Sequence, residues 1–145
     1  MPTFGYVNPY RNKGVECENL ALVCMDFRFR KKINELLSQA GYRDFDILAV
    51  PGASKAIIDD SHRQIVLNAL KIAVSLHGIR RLIMVDHIDC GTYGGSSRFP
   101  GQVEEMAFHT ERLHEAYQII KSQYPMLEIV LMYIDWDKLQ EIAAF

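Results

Sequence analysis

Long hydrophobic runs are missing from this sequence, and no stretch approaches the roughly 18–20 unbroken apolar residues of a membrane-spanning helix. Met1 to Glu18 contain no apolar segment of the kind a secretory leader carries, which makes the cytoplasm the expected compartment. Cysteine is scarce as well. Cys17, Cys24 and Cys90 are odd in number and widely spaced, so they do not form a disulfide framework. In a reducing compartment such thiols are free, catalytic or metal-bound. An excess of either charge is absent too: 16 Lys and Arg stand against 18 Asp and Glu, a formal net charge of -2. That balance argues against a nucleic-acid partner or an anionic membrane. The one basic cluster, Arg28, Arg30, Lys31 and Lys32, reads as the solvated end of a helix. There are no repeats, low-complexity tracts or interdomain linkers.

What is present suits a soluble globular chain: 145 residues, 49% hydrophobic and 23% charged. That length builds one core without disulfide staples. Residues 1–19, rich in Gly, Pro, Asn and charge, read as an extended N-terminal arm, and residues 20–145 as a single α/β domain. Leu20 to Cys24 is a continuous apolar run, as in a strand buried on both faces. Ile33, Leu36, Leu37 and Ala40 follow at helical spacing, with Gly41 as the terminator. Asp46 to Val50 is a second strand, stopped by Pro51 and Gly52. Ser61 and Gln64 have the spacing of a capping box, opening a helix that runs to Gly78. Its apolar residues lie on several faces, so it needs cover from more than one side, including a second subunit. Leu82 to Val85 is a third strand, and Gly91 to Gly101 a loop. Val103, Met106, Leu113, Tyr117 and Ile120 stripe a further helix. Leu127 to Ile134 is a fourth strand, and Leu139, Ile142 and Ala143 suggest a short final helix. The alternation implies a three-layer α/β/α fold around a mainly parallel sheet of four to five strands.

Ligands of such sheets collect beyond the carboxyl ends of the strands, at a topological switch point. Cys24 closes the first strand, and His87 and Cys90 follow the third. One His and two Cys form a suitable zinc set, with a fourth position left for water or a carboxylate. Gly91 lets the backbone bend around the Cys90 thiolate. At strand periodicity Cys24, Asp26 and Arg28 share one face. Asp26 can then ligate the metal or accept a hydrogen bond from its water, and Arg28 can grip Asp26 bidentately. The plainer alternative is an ordinary cap and ion pair at a strand-to-helix turn. The Cys24–Arg30 spacing also matches a C-x5-R phosphate loop of a thiol phosphatase, although Met25 to Phe29 contains no Gly.

Taken together, C-x-D-x-R after the first strand and H-x-x-C-G after the third resemble the β-class carbonic anhydrases. The likeness runs from about Leu20 to Ile134. It implies a β-carbonic anhydrase-like fold, one zinc per chain on Cys24, His87 and Cys90, and Asp26 and Arg28 as the catalytic dyad. It also implies a closed state in which Asp26 is the fourth ligand. The chain departs from the family at Phe27, where Ser is usual, at Val50 and Pro51, and at Asp86 before the zinc His. The implied reaction is zinc-dependent reversible hydration of carbon dioxide to bicarbonate. The zinc lowers the pKa of bound water, and two thiolates favour activity at alkaline pH. The helix from Ser61, apolar on more faces than one sheet can cover, predicts a homodimer or a multiple of dimers. His62, His77, His109 and His114 are candidate proton acceptors by residue type. The alternative is a zinc-bearing homologue without anhydrase activity, acting on another small electrophile or serving a structural or regulatory role.

Overall fold

The computed structural model describes residues 1–144. Its centre is a five-stranded sheet in the order β2-β1-β3-β4-β5. The strands are β1 (Asn19–Cys24), β2 (Asp46–Val50), β3 (Arg81–His87), β4 (Glu128–Ile134) and β5 (Leu139–Ile142). The first four are parallel, and β5 is antiparallel to β4. The three inner strands are buried almost throughout, which accounts for their continuous apolar sequences. On the β2 edge, Ile47 and Ala49 alternate outward.

The helices are α1 (Phe27–Gln39), α2 (Ser54–Ile58), α3 (Asp60–Ile72) and α4 (Gln102–Gln123). The chain steps one way from β1 to β2, then back across to β3 and on to β4. Right-handed crossovers therefore put α1 on one face of the sheet and α3 and α4 on the other. Phe29, Ile33 and Leu37 are the buried face of α1, and α2 packs against both α3 and α4.

Three expectations need correction. Leu139 to Ile142 is an edge strand rather than a final helix, with Leu139 opposite Ile134 and Ile142 opposite Leu131. Asp135 makes the hairpin: its carboxylate accepts the N–H groups of Asp137 and Lys138, and its own N–H reaches the Lys138 carbonyl. The expected helix from Ser61 starts at Asp60 instead, and its cap is Asp59, whose carboxylate accepts the Ser61 N–H at 3.0 Å. Both residues are good cap formers. Asp59 takes the role because α2 ends at Ile58 and the chain turns there, leaving Gln64 to pair with Asn68. The last turn of that helix, Ala73–His77, widens to a π-helix. Finally, Asp26 and Arg28 do not continue β1, because the strand ends at Cys24 and Asp26 caps α1.

Candidate metal centre

β1 and β3 are neighbours whose outgoing connections leave in opposite directions, so a crevice opens beyond their carboxyl ends. Cys24 is the last residue of β1 and His87 the last of β3. The 3₁₀ turn Gly91–Tyr93 brings Cys90 back over them. One ligand atom from each of Cys24, His87 and Cys90 lies within 4.8 Å of the others, and all three residues are buried.

The donor set suits a metal ion on observations internal to the site. The Nδ1 of His87 sits 2.6 Å from the Ile88 carbonyl, so the Nδ1–H donates there and the lone pair is left on Nε2. That Nε2 is buried and has no hydrogen-bond partner. Phe29 stacks on the imidazole at 4.5 Å and fixes its plane. A hydrogen bond to Cys90 pulls the Cys24 thiol down to about 4. The neighbouring His87 and the Gly52 N–H, 3.4 Å from Sγ, act in the same direction against burial. Cys90 is pushed up by the same thiolate and by burial. One thiolate and one proton held between two sulfurs suit exchange of that proton for a cation. Burial opposes charge on His87, yet its Cys24 and Ile88 contacts and Asp26 raise its pKa overall.

Beside this cluster stands the Asp26–Arg28 pair. Asp26 accepts the Arg28 backbone N–H at 2.9 Å as the cap of α1. The Arg28 Nε reaches both carboxylate oxygens at 3.0 and 3.1 Å, and Nη2 reaches Oδ2 at 2.7 Å. This grip holds the Asp26 carboxyl down at about 2. Asp26 Oδ2 lies 3.8 Å from His87 Nε2. The pair is therefore both a cap and a neighbour of the candidate metal position. Phe27, in the first turn of α1, is 83% exposed, so its bulk lies in solvent. Arg30 is exposed on the same helix. A helix from Phe27 onward leaves no loop to wrap phosphate, which removes the thiol-phosphatase reading.

Several residues here were not singled out by sequence reasoning. Asp89 accepts the Arg28 Nη1 at 2.9 Å, and its carbonyl accepts Nη2 at 3.0 Å. It is left-handed, with φ 57°, a region Asp tolerates better than most residues. Its N–H donates to the buried Glu105 at 2.7 Å, and Glu105 also accepts the Ser96 hydroxyl. Asp86, noted only as a departure, is buried with Ser54, Tyr93 and His109. The signal was on α4: Glu105, His109, Leu113, Ala116 and Ile120 form the buried stripe. An apolar reading favoured Val103, which is exposed. Of the four candidate proton acceptors, His109 is fully buried. His77 bonds Asp46 at the far end of the sheet, and His114 contacts the Ala143 carbonyl. His62 is exposed in the first turn of α3.

A family model described as "Putative carbonic anhydrase" matches residues 15–143. The chain belongs to that family. As a member it shares 32% identity over 121 residues with an uncharacterized protein of Rickettsia bellii, covering 79% of this chain and 74% of that protein. Another uncharacterized protein, from Rickettsia conorii, is 31% identical over 133 residues, covering 87% and 72%. Among solved structures, a carbonic anhydrase from Glaciozyma antarctica superposes with a TM-score of 0.63 at 19% identity, over 94% of this chain and 89% of that one. A single-residue mutant of the β-carbonic anhydrase CafD of Aspergillus fumigatus gives 0.61 at 16% identity, over 94% of each. Tetrameric β-carbonic anhydrases of Sordaria macrospora give 0.60 at 11% identity, over 88% and 81%. This divergent family member therefore has the β-carbonic anhydrase fold.

Proposed function

We propose that this chain is a zinc-dependent carbonic anhydrase, hydrating carbon dioxide reversibly to bicarbonate. The observation that carries the reading is the buried Cys24–His87–Cys90 cluster with an ionised, Arg-held carboxylate beside it. Cys24, His87 and Cys90 would hold one zinc per chain, His87 through its unpartnered Nε2. Zinc in a three-residue site makes water ionisable near neutral pH and so supplies the nucleophile. Asp26, anionic across the working range, would accept a hydrogen bond from the attacking water and orient it toward the substrate carbon. Arg28 would keep Asp26 in its present place, and Asp89, whose N–H is held by Glu105, grips Arg28. Phe29 closes one wall against the imidazole and keeps bulk water away.

Among the described residues no helix is long and apolar enough to cross a membrane. We place the protein in the cytoplasm, with carbon dioxide and bicarbonate as its small-molecule partners and neither nucleic acid nor membrane. Residues 1–19 serve as the arm of one zinc-binding domain. Ile65, Ile72 and Leu76 are exposed along α3 and its π turn, a stripe that a second copy covers in a homodimer.

A second reading is supported by one distance. Asp26 Oδ2 lies 3.8 Å from His87 Nε2, so a small rotation makes it a fourth ligand and closes the site. A permanently closed homologue would bind zinc without hydrating carbon dioxide. Stopped-flow carbon dioxide hydration, with zinc measured on the same sample, decides between them. Full zinc with turnover supports the enzyme, and full zinc with none supports the closed homologue.

A further inference from the structure

A buried polar network lies behind the candidate metal site, on the α4 side of the sheet. Asp86, Ser54 and His109 are each 1% exposed or less, and Tyr93 is 7% exposed. Asp86 Oδ1 accepts the Ser54 N–H at 3.1 Å, and Oδ2 accepts both the Ser54 hydroxyl at 2.7 Å and His109 Nδ1 at 2.8 Å. The Ser54 hydroxyl also meets the Tyr93 hydroxyl at 2.8 Å. A carboxylate can only accept, so the directions follow: Tyr93 donates to Ser54, Ser54 to Asp86, and His109 Nδ1–H to Asp86. His109 Nε2 has no hydrogen-bond partner, which agrees with its proton being on Nδ1.

Four separate elements meet in this network. Asp86 precedes His87 on β3, and Tyr93 ends the turn that carries Cys90. His109 comes from α4, and Ser54 opens α2. Just before Ser54 the chain takes two left-handed residues in succession, Gly52 at φ 77° and Ala53 at φ 46°. Ala53 is a strained position for a residue with a Cβ, and it is fully buried beside the candidate site. No side chain of α2 caps its own first turn, so Asp86 supplies the acceptor from across the sheet. The Gly52 N–H points at Cys24 Sγ, and a Cβ on Gly52 would lie 3.1 Å from Thr92, within the Cys90 turn. Such strain persists only where the surroundings over-determine it. Here the surroundings are the Asp86 network.

We propose that the Asp86–His109 pair, acting through Ser54 and Tyr93, is a positioning element. It holds the Gly52–Ala53 turn on Cys24 Sγ and sets Cys90 opposite Cys24. The inference rests on the reading of Cys24, His87 and Cys90 as metal ligands. Outer partners of this kind typically contribute about 10–100-fold to metal affinity.

The test uses the full-length chain and three substitutions. Ser54→Ala removes the hydroxyl and keeps the N–H. His109→Leu removes the donor at similar volume, and His109→Asn returns a donor near the Nδ1 position. Zinc affinity is measured by competition with a chromophoric chelator, melting temperature is measured without metal, and amide exchange is followed at Gly52 and Ser54. Zinc affinity about 10–100-fold weaker in Ser54→Ala and His109→Leu, with His109→Asn within about threefold of wild type, is the expected result. The Gly52 and Ser54 amides then exchange at least about tenfold faster in the first two variants. Lower melting temperature with unchanged zinc affinity and unchanged Gly52 exchange makes the network merely structural and overturns the proposal. Equal losses in His109→Asn and His109→Leu overturn it as well. A wild-type chain that takes up no zinc removes the metal reading instead, and Gly52 exchange then decides the positioning role alone.

Discussion

Removing the guanidinium of Arg28 separates a structural ion pair from one that serves the reaction. Arg28→Ala deletes three hydrogen bonds to Asp26 and two to Asp89, while the backbone N–H that Asp26 caps stays in place. Charge-assisted bonds contribute about 1.5–3 kcal/mol when buried. The Arg28 side chain is 34% exposed, however, and pairs near the surface are worth about 1 kcal/mol or less. A net loss of about 1–2 kcal/mol follows, which lowers the melting temperature of a chain this size by about 3–6 °C. Zinc stays bound, because no ligand is touched. Asp26 loses its anchor, turns toward His87 Nε2 and takes the fourth position, so stopped-flow hydration falls at least about 100-fold. Arg28→Lys keeps the charge without the fork and recovers only part of the rate. Hydration within about twofold of wild type in Arg28→Ala, with zinc intact and the melting temperature lowered, refutes the reasoning.

Three further outcomes are expected. Cys90→Ser loses most bound zinc by elemental analysis, whereas Cys17→Ser retains it, since Cys17 precedes β1 at the opposite end of the sheet and bonds the Asn19 carbonyl; equal retention removes Cys90 from the site. Gly52→Ala places a Cβ 2.9 Å from that of Lys55 at φ 77°, and costs about 2–4 kcal/mol by urea unfolding; an unchanged midpoint shows that the turn can relax. Light scattering finds a dimer for the wild type and a monomer for Leu76→Glu, because the charge falls on the exposed stripe of α3 and its π turn; a wild-type monomer at micromolar concentration contradicts the interface.

The parts of the fold legible in the sequence are those whose environment is uniform along the chain. β1, β3 and β4 are covered on both faces, so their unbroken apolar runs identify them without knowledge of their partners. β5 offered no such pattern. Its four residues space Leu139 and Ile142 like one helical turn, and only pairing with β4 makes them a strand. The start of α3 was ambiguous because Asp59 and Ser61 compete for one cap, and the fold of α2 before them decides it. Cys24, His87 and Cys90 could be brought together from the sequence because Cys24 and His87 end neighbouring strands on the same edge and Cys90 follows within one turn. Asp89 and Glu105 could not, since their bond joins a left-handed loop residue to a helix residue 16 positions on. Nor could Asp86 and His109 be matched, because a buried stripe that begins with charged and polar side chains leaves no apolar period to read.

The β4–β5 hairpin carries Trp136 at its turn, the single tryptophan of the chain. Its indole lies 5.1 Å from the Phe29 ring, which itself stacks on His87, and 5.5 Å from the Arg28 guanidinium. The protein thus contains its own optical reporter, one aromatic ring removed from the His87 imidazole and in contact with the Arg28 guanidinium. With no other indole to dilute it, emission from Trp136 reports, in unlabelled protein, on changes in the packing around Phe29 and Arg28.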